Sequence, residues 1–435
     1  MTSIPHPSLR TCCLSLILFC APNVFADEWP QWRGPNRDGV WNEKGIIQKF
    51  EGPKIKLKWR MPISSGYSGP TVAGGKVYVT DRVLKPFQER VHCFDWESGN
   101  RIWTYAYDCI YKNVGYAAGP RAAVLIDEGR AYSFGSTGLF FCLDAADGKV
   151  FWKKDLRALY KIRMPIWGVA ASPIIEGQNI IVHIGGEGDA CLVAFDKVKG
   201  NEIWKALPDR ASYSSPIVID QAGRRVLVSW TGDNVVGLNP KTGAGYWKHP
   251  FPPKRMVIAV ASPVLHQGHL FFTAFYDGSI LLRLATETPS VTKVWRRIGE
   301  SERVTDSLHS MISTPILIGD AIYGVDSYGE FRCLDLKTGD RIWENQTATR
   351  KARWSNIHFV RNENKVWMFN ETGDLIISEL TRDGFNEISR SHLIDPTLVQ
   401  LRRRGGVCWS HPAFAYRHIF ARNDKELVCA SLAED

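Results

Sequence analysis

Short apolar runs alternate with turn-forming residues along nearly the whole chain. Residues 171–204 show the pattern. Residues 171–175 read as the entry of a strand, and Gly177 and Asn179 mark a turn. Residues 180–184 are β-branched and apolar, as a buried strand requires. Gly185, Gly186 and Gly188 break that run. Residues 191–196 make a third strand, Gly200 a hairpin turn, and residues 202–205 a fourth strand. No helical periodicity intervenes, so the unit reads as a four-stranded antiparallel sheet.

The unit recurs. An aspartate or asparagine, a glycine four residues on and a tryptophan four further appear at Asp95-Gly99-Trp103, Asp144-Gly148-Trp152, Asp196-Gly200-Trp204, Asn239-Gly243-Trp247 and Asp335-Gly339-Trp343. Trp59 and Trp295 keep the same beat with a weaker lead-in, and Ile388 takes the tryptophan slot after Asp383-Gly384. A second series runs out of phase: a proline preceded by Ser, Gly, Thr or His at Pro70, Pro120, Pro173, Pro216, Pro263, Pro315 and Pro412, with Ser355-Asn356-Ile357 in the remaining slot. Both series count eight. Units of this length bury their apolar faces only against neighbours. The expected architecture is all-β: an eight-bladed β-propeller of four-stranded antiparallel blades.

Each member of the phrase has a physical task. The aspartate accepts from backbone donors of the following turn, the glycine supplies a positive φ, and the indole wedges between sheets. Trp59, Trp103, Trp152, Trp204, Trp247, Trp295 and Trp343 therefore read as structural. Residues 426–432 resemble a third strand with no fourth behind it. The missing strand is expected around Trp59, so that the N-terminal strand closes the ring.

The first 26 residues read as a signal peptide, with Arg10, an apolar run over residues 14–21 and a small-residue cleavage site at residues 24–26. Bulky Phe19 argues against lipidation at Cys20. The propeller domain then spans residues 27–435, with 27–55 as an N-terminal extension. The expected location is periplasmic or extracellular. No stretch is long and apolar enough to span a membrane as a helix. Seven cysteines follow the leader, and Cys93, Cys142 and Cys333 each stand two residues before a repeat aspartate. They read as small buried residues, not as a disulfide framework.

The formal net charge is +9. The connectors joining each tryptophan strand to the next proline strand hold 21 Lys and Arg against 8 Asp and Glu. That points to a basic face, with aromatic residues three positions before the proline slot at Tyr67, Tyr213, Trp354 and Trp409, and with Trp167 nearby. The candidate binding residues of this face are Tyr67, Arg163, Trp167, Arg210, Tyr213, Arg255, Arg303, His309, Arg353, Trp354, Arg403 and Trp409. A protein, an anionic glycan or an anionic small molecule would suit them. Nucleic acid is disfavoured, since no nucleic-acid motif accompanies the charge. A monomer is expected.

With the repeat phrase in view, the chain resembles the quinoprotein-like eight-bladed propellers over about residues 27–435. The segments at 29–39 and 404–412 look like the opening and closing stretches of the bacterial PQQ-like repeat proteins. That group includes pyrroloquinoline quinone (PQQ) dehydrogenases and the propeller subunit of the outer-membrane β-barrel assembly machinery. The resemblance implies either a PQQ- and calcium-dependent oxidoreductase or an assembly scaffold. The dehydrogenases' adjacent-cysteine pair occurs here only at Cys12-Cys13, inside the leader, and no Asp-x-Asp-x-Asp-Gly calcium loop is present. The reading is therefore an exported, non-catalytic binding module, with no metal ligands and no catalytic residues assigned. His309, His358 and His411 are the histidines placed to face the axis.

Overall fold

The computed structural model describes residues 1–2, 27–403 and 405–434. The expected leader and its Cys20 lie almost wholly outside the described residues, as does Arg404.

Eight four-stranded antiparallel sheets follow one another in chain order. Blade 1 comprises Thr71–Ala73, Lys76–Leu84, Phe87–Asp95 and Arg101–Asp108. Blades 2 to 7 run from Leu125–Asp127 to Val150–Asp155, Ile174–Glu176 to Glu202–Ala206, Ile217–Gln221 to Gly245–Pro250, Val264–His266 to Val291–Arg297, Ile316–Ile318 to Arg341–Asn345, and Ile357–Asn362 to Phe385–His392. Blade 8 takes Ala413–Ala415, His418–Arg422 and Glu426–Ser431 from the end of the chain. Its outer strand is Leu57–Pro62 from the beginning. Trp59 lies opposite Cys429, so the ring closes as the repeat count required.

The wedge is built the same way around the ring. Trp59, Trp103, Trp152, Trp204, Trp295 and Trp343 donate their indole N–H to a backbone carbonyl of the next blade, at 2.9–3.3 Å. In five of the six pairs that carbonyl belongs to the residue just after the repeat aspartate or its counterpart. The repeat glycine there has φ near +75° and presents a bare Cα to the ring; a Cβ on Gly148 would sit 2.7 Å from Trp103. Beneath each indole, across the sheet, stands a residue that is usually small: Cys93, Cys142, Ala194, Gly237, Cys333 or Cys429. All seven cysteines among the described residues are free and buried.

Two sequence expectations shift. In blade 7 the position opposite Ile377 belongs to Ser389, while Ile388 is the bulged residue. Phe50 of the N-terminal extension covers this blade instead. Its backbone N–H bonds Ser389 Oγ at 2.9 Å and its ring meets Trp367 edge-on. A single one-turn helix, Leu156–Tyr160, also appears among the described residues, capped by Asp155 accepting from Ala158. Its span is too short for any periodicity to announce it.

Residues 27–55 cross the face formed by the first-to-second-strand turns and enter the axial channel. Trp29 bridges Val72, Val40 bridges Arg361 and Ile46 bridges Ala433. Arg37 is fully buried in the channel, where its guanidinium donates to the carbonyls of Pro173, Pro216 and Ser172. Arg33 donates in turn to the carbonyls of Arg37 and Asp38. The extension is thus a plug.

Candidate functional site

Above the plug the channel widens into a cavity of about 130 Å³. One sequence position builds most of its wall. The residue three before the proline slot lines the cavity in seven of eight repeats: Tyr67, Ala170, Tyr213, Val260, Ile312, Trp354 and Trp409. This position ends the connector and points toward the axis just before the inner strand begins. Where it holds alanine, at Ala117 and Ala170, a nearby aromatic takes over, Tyr116 in the first case and Trp167 in the second. Six of the eight connectors so contribute an aromatic ring. Trp32 of the plug lines the cavity as well, its indole held by Ser262 Oγ at 2.9 Å.

Tyr116 and Trp354 belong to connectors three blade steps apart, yet their rings meet edge-to-face at 5.7 Å. Contact at that separation requires both to reach over the axis, so they roof part of the cavity. Both have left-handed backbones, φ +51° and +66°, which bulky residues seldom adopt. Trp167 packs between Tyr116, which it meets edge-on at 5.8 Å, and Tyr213, tilted against it at 5.0 Å.

The polar groups of the wall are mostly committed. Arg121 donates to the carbonyls of Gly115, Tyr116 and Gly119 and to Ser136 Oγ. Tyr67 donates to the Gln400 carbonyl. Three atoms are buried without a partner: Trp354 Nε1, Trp409 Nε1 and His411 Nε2. His411 lies 4.8 Å from His358, centroid to centroid. Burial holds His411 well below the usual histidine range and pushes His358 down to about 4, so both are neutral.

The structure brings Tyr67, Trp167, Tyr213, Trp354 and Trp409 together around the axis. It leaves the candidate cations at the rim. Arg163, Arg210, Arg255 and Arg303 are exposed. Arg353 lies over Phe275 and Trp354 at 5.0 and 4.5 Å. Arg403 pairs with the buried Glu371, which also holds Arg350 at 2.7 Å. His309 is a correction. It is buried away from the cavity, with Nδ1 on the Phe275 carbonyl and Nε2 accepting from Gly299 N–H. Proximity to a strand entry did not reveal that its ring turns into the blade.

The basic count of the connectors also omitted their neighbours. The loops between second and third strands share this face, since Ala352 and Trp354 bond the carbonyls of Tyr328 and Ser327. Those loops carry eight carboxylates, at Glu187, Asp189, Asp233, Asp277, Asp326, Glu330, Glu371 and Asp424, against Lys85 and Lys425. Arg210 is held by Asp233 at 2.6 Å and Lys351 by Glu330 at 3.9 Å. Much of the positive excess is therefore answered locally.

Sequence reading missed Tyr116, Trp32 and Arg121 as cavity residues. For Tyr116 the alanine at the lining position was the available clue. A calcium-bound quinone needs carboxylate and amide oxygens around the metal. No Asp, Glu, Asn or Gln lines this cavity, and no group of three or more His, Cys, Asp or Glu able to hold a metal occurs among the described residues. The residues do not fit that pair.

Residues 87–345 match the family model described as outer membrane protein assembly factor BamB. The outer membrane protein assembly factor BamB of Shewanella oneidensis is 24% identical over 289 residues, covering 64% of this chain and 68% of that protein. The crystal structure of BamB from Moraxella catarrhalis superposes with a TM-score of 0.58 at 14% identity, over 86% of this chain and 99% of the other. A europium-containing methanol dehydrogenase superposes with a TM-score of 0.67 at 12% identity, over 93% and 89%. The structural likenesses speak for the fold alone.

Proposed function

The chain belongs to the β-propeller family described as outer membrane protein assembly factor BamB, and on that premise we propose that it is an exported, non-catalytic module that docks a protein partner on its connector face. One observation carries this reading. Among the described residues, Met1 apart, eight large apolar side chains are more than half exposed, and all eight lie on that face. Leu84 and Phe87 flank the second-to-third-strand loop of blade 1. Ile110, Leu159, Ile166, Val304, Leu398 and Val399 sit on connectors. The remaining exposed large apolar residues, none above 45%, lie on outer strands, at turns of the opposite face or, for Leu265, on an inner strand beside such a turn. Apolar side chains concentrated on one face mark an interaction surface, and arginines beside them suit the rim of such an interface. With about half of the connectors' positive excess met by loop carboxylates and the most exposed apolar side chains on the same face, a protein partner fits better than a polyanionic glycan.

The finer form of the reading is a scaffold for outer-membrane protein assembly, after the name the relatives bear, with residues 1–26 as the export leader. Photo-crosslinking amino acids placed at Phe87 and Leu398, compared with Phe151 and Ile203 on outer strands, test the face in cells that make the protein. Discrete adducts from the first pair only are expected. Adducts from the outer strands alone, or equally from both sets, would refute the choice of face. The identity of the adducts decides whether the partner belongs to β-barrel assembly.

A further inference from the structure

We propose that the axial cavity is a binding site for a small, uncharged, single-ring aromatic molecule bearing a hydroxyl, a phenol in chemical class. The cavity lies beneath the connector face and is lined by the same connectors, but its assignment does not depend on docking there.

Size sets the first limit. A cavity of about 150 Å³ accommodates benzene, and the cavity here is about 130 Å³. A single six-membered ring fits; a fused polycycle does not. The wall sets the second. Tyr116, Trp167, Tyr213 and Trp354 offer ring faces and edges, to which another aromatic ring packs edge-on or offset. Charge sets the third. No carboxylate lines the cavity to receive a cation, and the guanidinium of Arg353 already covers Trp354. Arg121 spends four bonds on the protein, so an anion finds little free donor capacity.

The unpartnered atoms then specify the polar handle. His411 Nδ1 faces the Pro412 carbonyl at 2.5 Å. A carbonyl only accepts, so Nδ1 carries the proton, and in a neutral ring Nε2 keeps a bare lone pair. Residues of the cavity wall thus carry two idle donors, Trp354 Nε1 and Trp409 Nε1, and one idle acceptor, His411 Nε2, each covered by the wall itself, so that a ligand reaches them only as these side chains turn. They come from the two successive connectors on either side of blade 7. A hydroxyl is the small group that meets both needs at once: its oxygen accepts from an indole and its proton goes to the imidazole. A sugar ring of similar size would leave most of its hydroxyls unanswered, since the wall hydroxyl of Tyr67 is spent on Gln400, and Ser172 and Ser215 Oγ each already accept a backbone N–H and have only their own protons to offer. The left-handed backbones of Tyr116 and Trp354 add a structural reason. Such conformations cost about 1–3 kcal/mol each and persist where a site requires them.

Phenol is the probe, titrated against the full chain by tryptophan fluorescence and thermal shift. The ligand-efficiency ceiling for seven heavy atoms allows a Kd as tight as roughly 20 nM, and a Kd below about 1 mM is expected. Cyclohexanol, benzoate and benzyltrimethylammonium should bind at least about tenfold more weakly, for want of the ring, of neutrality, or of both neutrality and hydroxyl. Val260→Trp and Ala170→Phe fill the cavity from different blades. Whichever retains the wild-type circular dichroism should lose phenol binding. Trp409→Phe keeps a ring and removes one donor, and should raise Kd by about five- to tenfold. Absence of phenol binding at about 10 mM by a folded chain, equal binding of benzoate or the cation, or phenol binding undiminished in the filled variants would each overturn the assignment.

Discussion

The indole N–H of Trp247 donates to the side-chain carbonyl of Gln221 at 3.0 Å, within its own blade. The other six blade tryptophans reach into the next blade. The difference follows from blade 5, whose outer turn runs from Ala285 to Ser290 without an aspartate–glycine phrase. Gln221 bridges the gap, because its amide nitrogen donates to the carbonyls of Ser290 at 2.6 Å and Ala285 at 3.3 Å. Gln221→Ala strands the indole and the Ala285 carbonyl, while the Ser290 carbonyl keeps the Ala285 N–H at 3.0 Å, and should destabilise the protein by about 1–3 kcal/mol. Denaturant unfolding reads it; a change below about 0.5 kcal/mol would mean that the bridge carries no weight.

Gly148 has φ +77° and lies under Trp103. Gly148→Ala combines backbone strain with a Cβ placed 2.7 Å from the ring. A loss of about 2–4 kcal/mol is expected. Gly177, also at positive φ but facing open space, should lose only about 1 kcal/mol on the same change. Comparable losses at the two sites would show that the indole contact contributes nothing.

Deletion of residues 27–60 removes the plug and the outer strand of blade 8 together. Chemical denaturation should then show loss of the whole cooperative transition, not a modest shift. Trp59→Ala alone should cost about 3–5 kcal/mol, as burial of a large aromatic implies. A deleted chain with an intact transition would show the closure to be ornamental.

Burial pushes both His183 and His358 down to about 4. The unfolded chain binds their protons near pH 6.5. Between those values the unfolded state holds protons that the folded state refuses, so stability is complete above about pH 6.5 and declines toward pH 4. Each histidine accounts for about 3 kcal/mol of that decline. Melting temperatures should fall steeply from pH 7 to pH 4.5, and His358→Gln should flatten the profile over the same range. A flat wild-type profile would mean that these imidazoles are protonated in the folded chain.

Blade number, strand order and ring closure were legible because one indole, one glycine and one aspartate recur at most junctions between neighbouring sheets. The cavity was half legible. Tyr67, Tyr213, Trp354 and Trp409 share one repeat position, so their convergence follows from the ring itself. Tyr116 and Trp32 do not: the first depends on a local left-handed turn, the second on a segment outside the repeat. The rim charge misled because only the connectors were counted, while Asp233, Glu330 and Glu371 arrive from loops that meet them in space. His309 misled for a related reason, since a strand entry fixes where a residue sits but not which way its ring turns.

Closure of blade 8 ties residues near the start of the chain to residues at its end, and this imposes an order on synthesis. Leu57–Pro62 emerges early and has no partner strand until Glu426–Ser431 has been made. Seven sheets can assemble as they appear, but the circle stays open until residues 426–431 have been made. A chain threaded through a narrow pore while still growing would therefore remain unlocked until its final strand arrived on the far side.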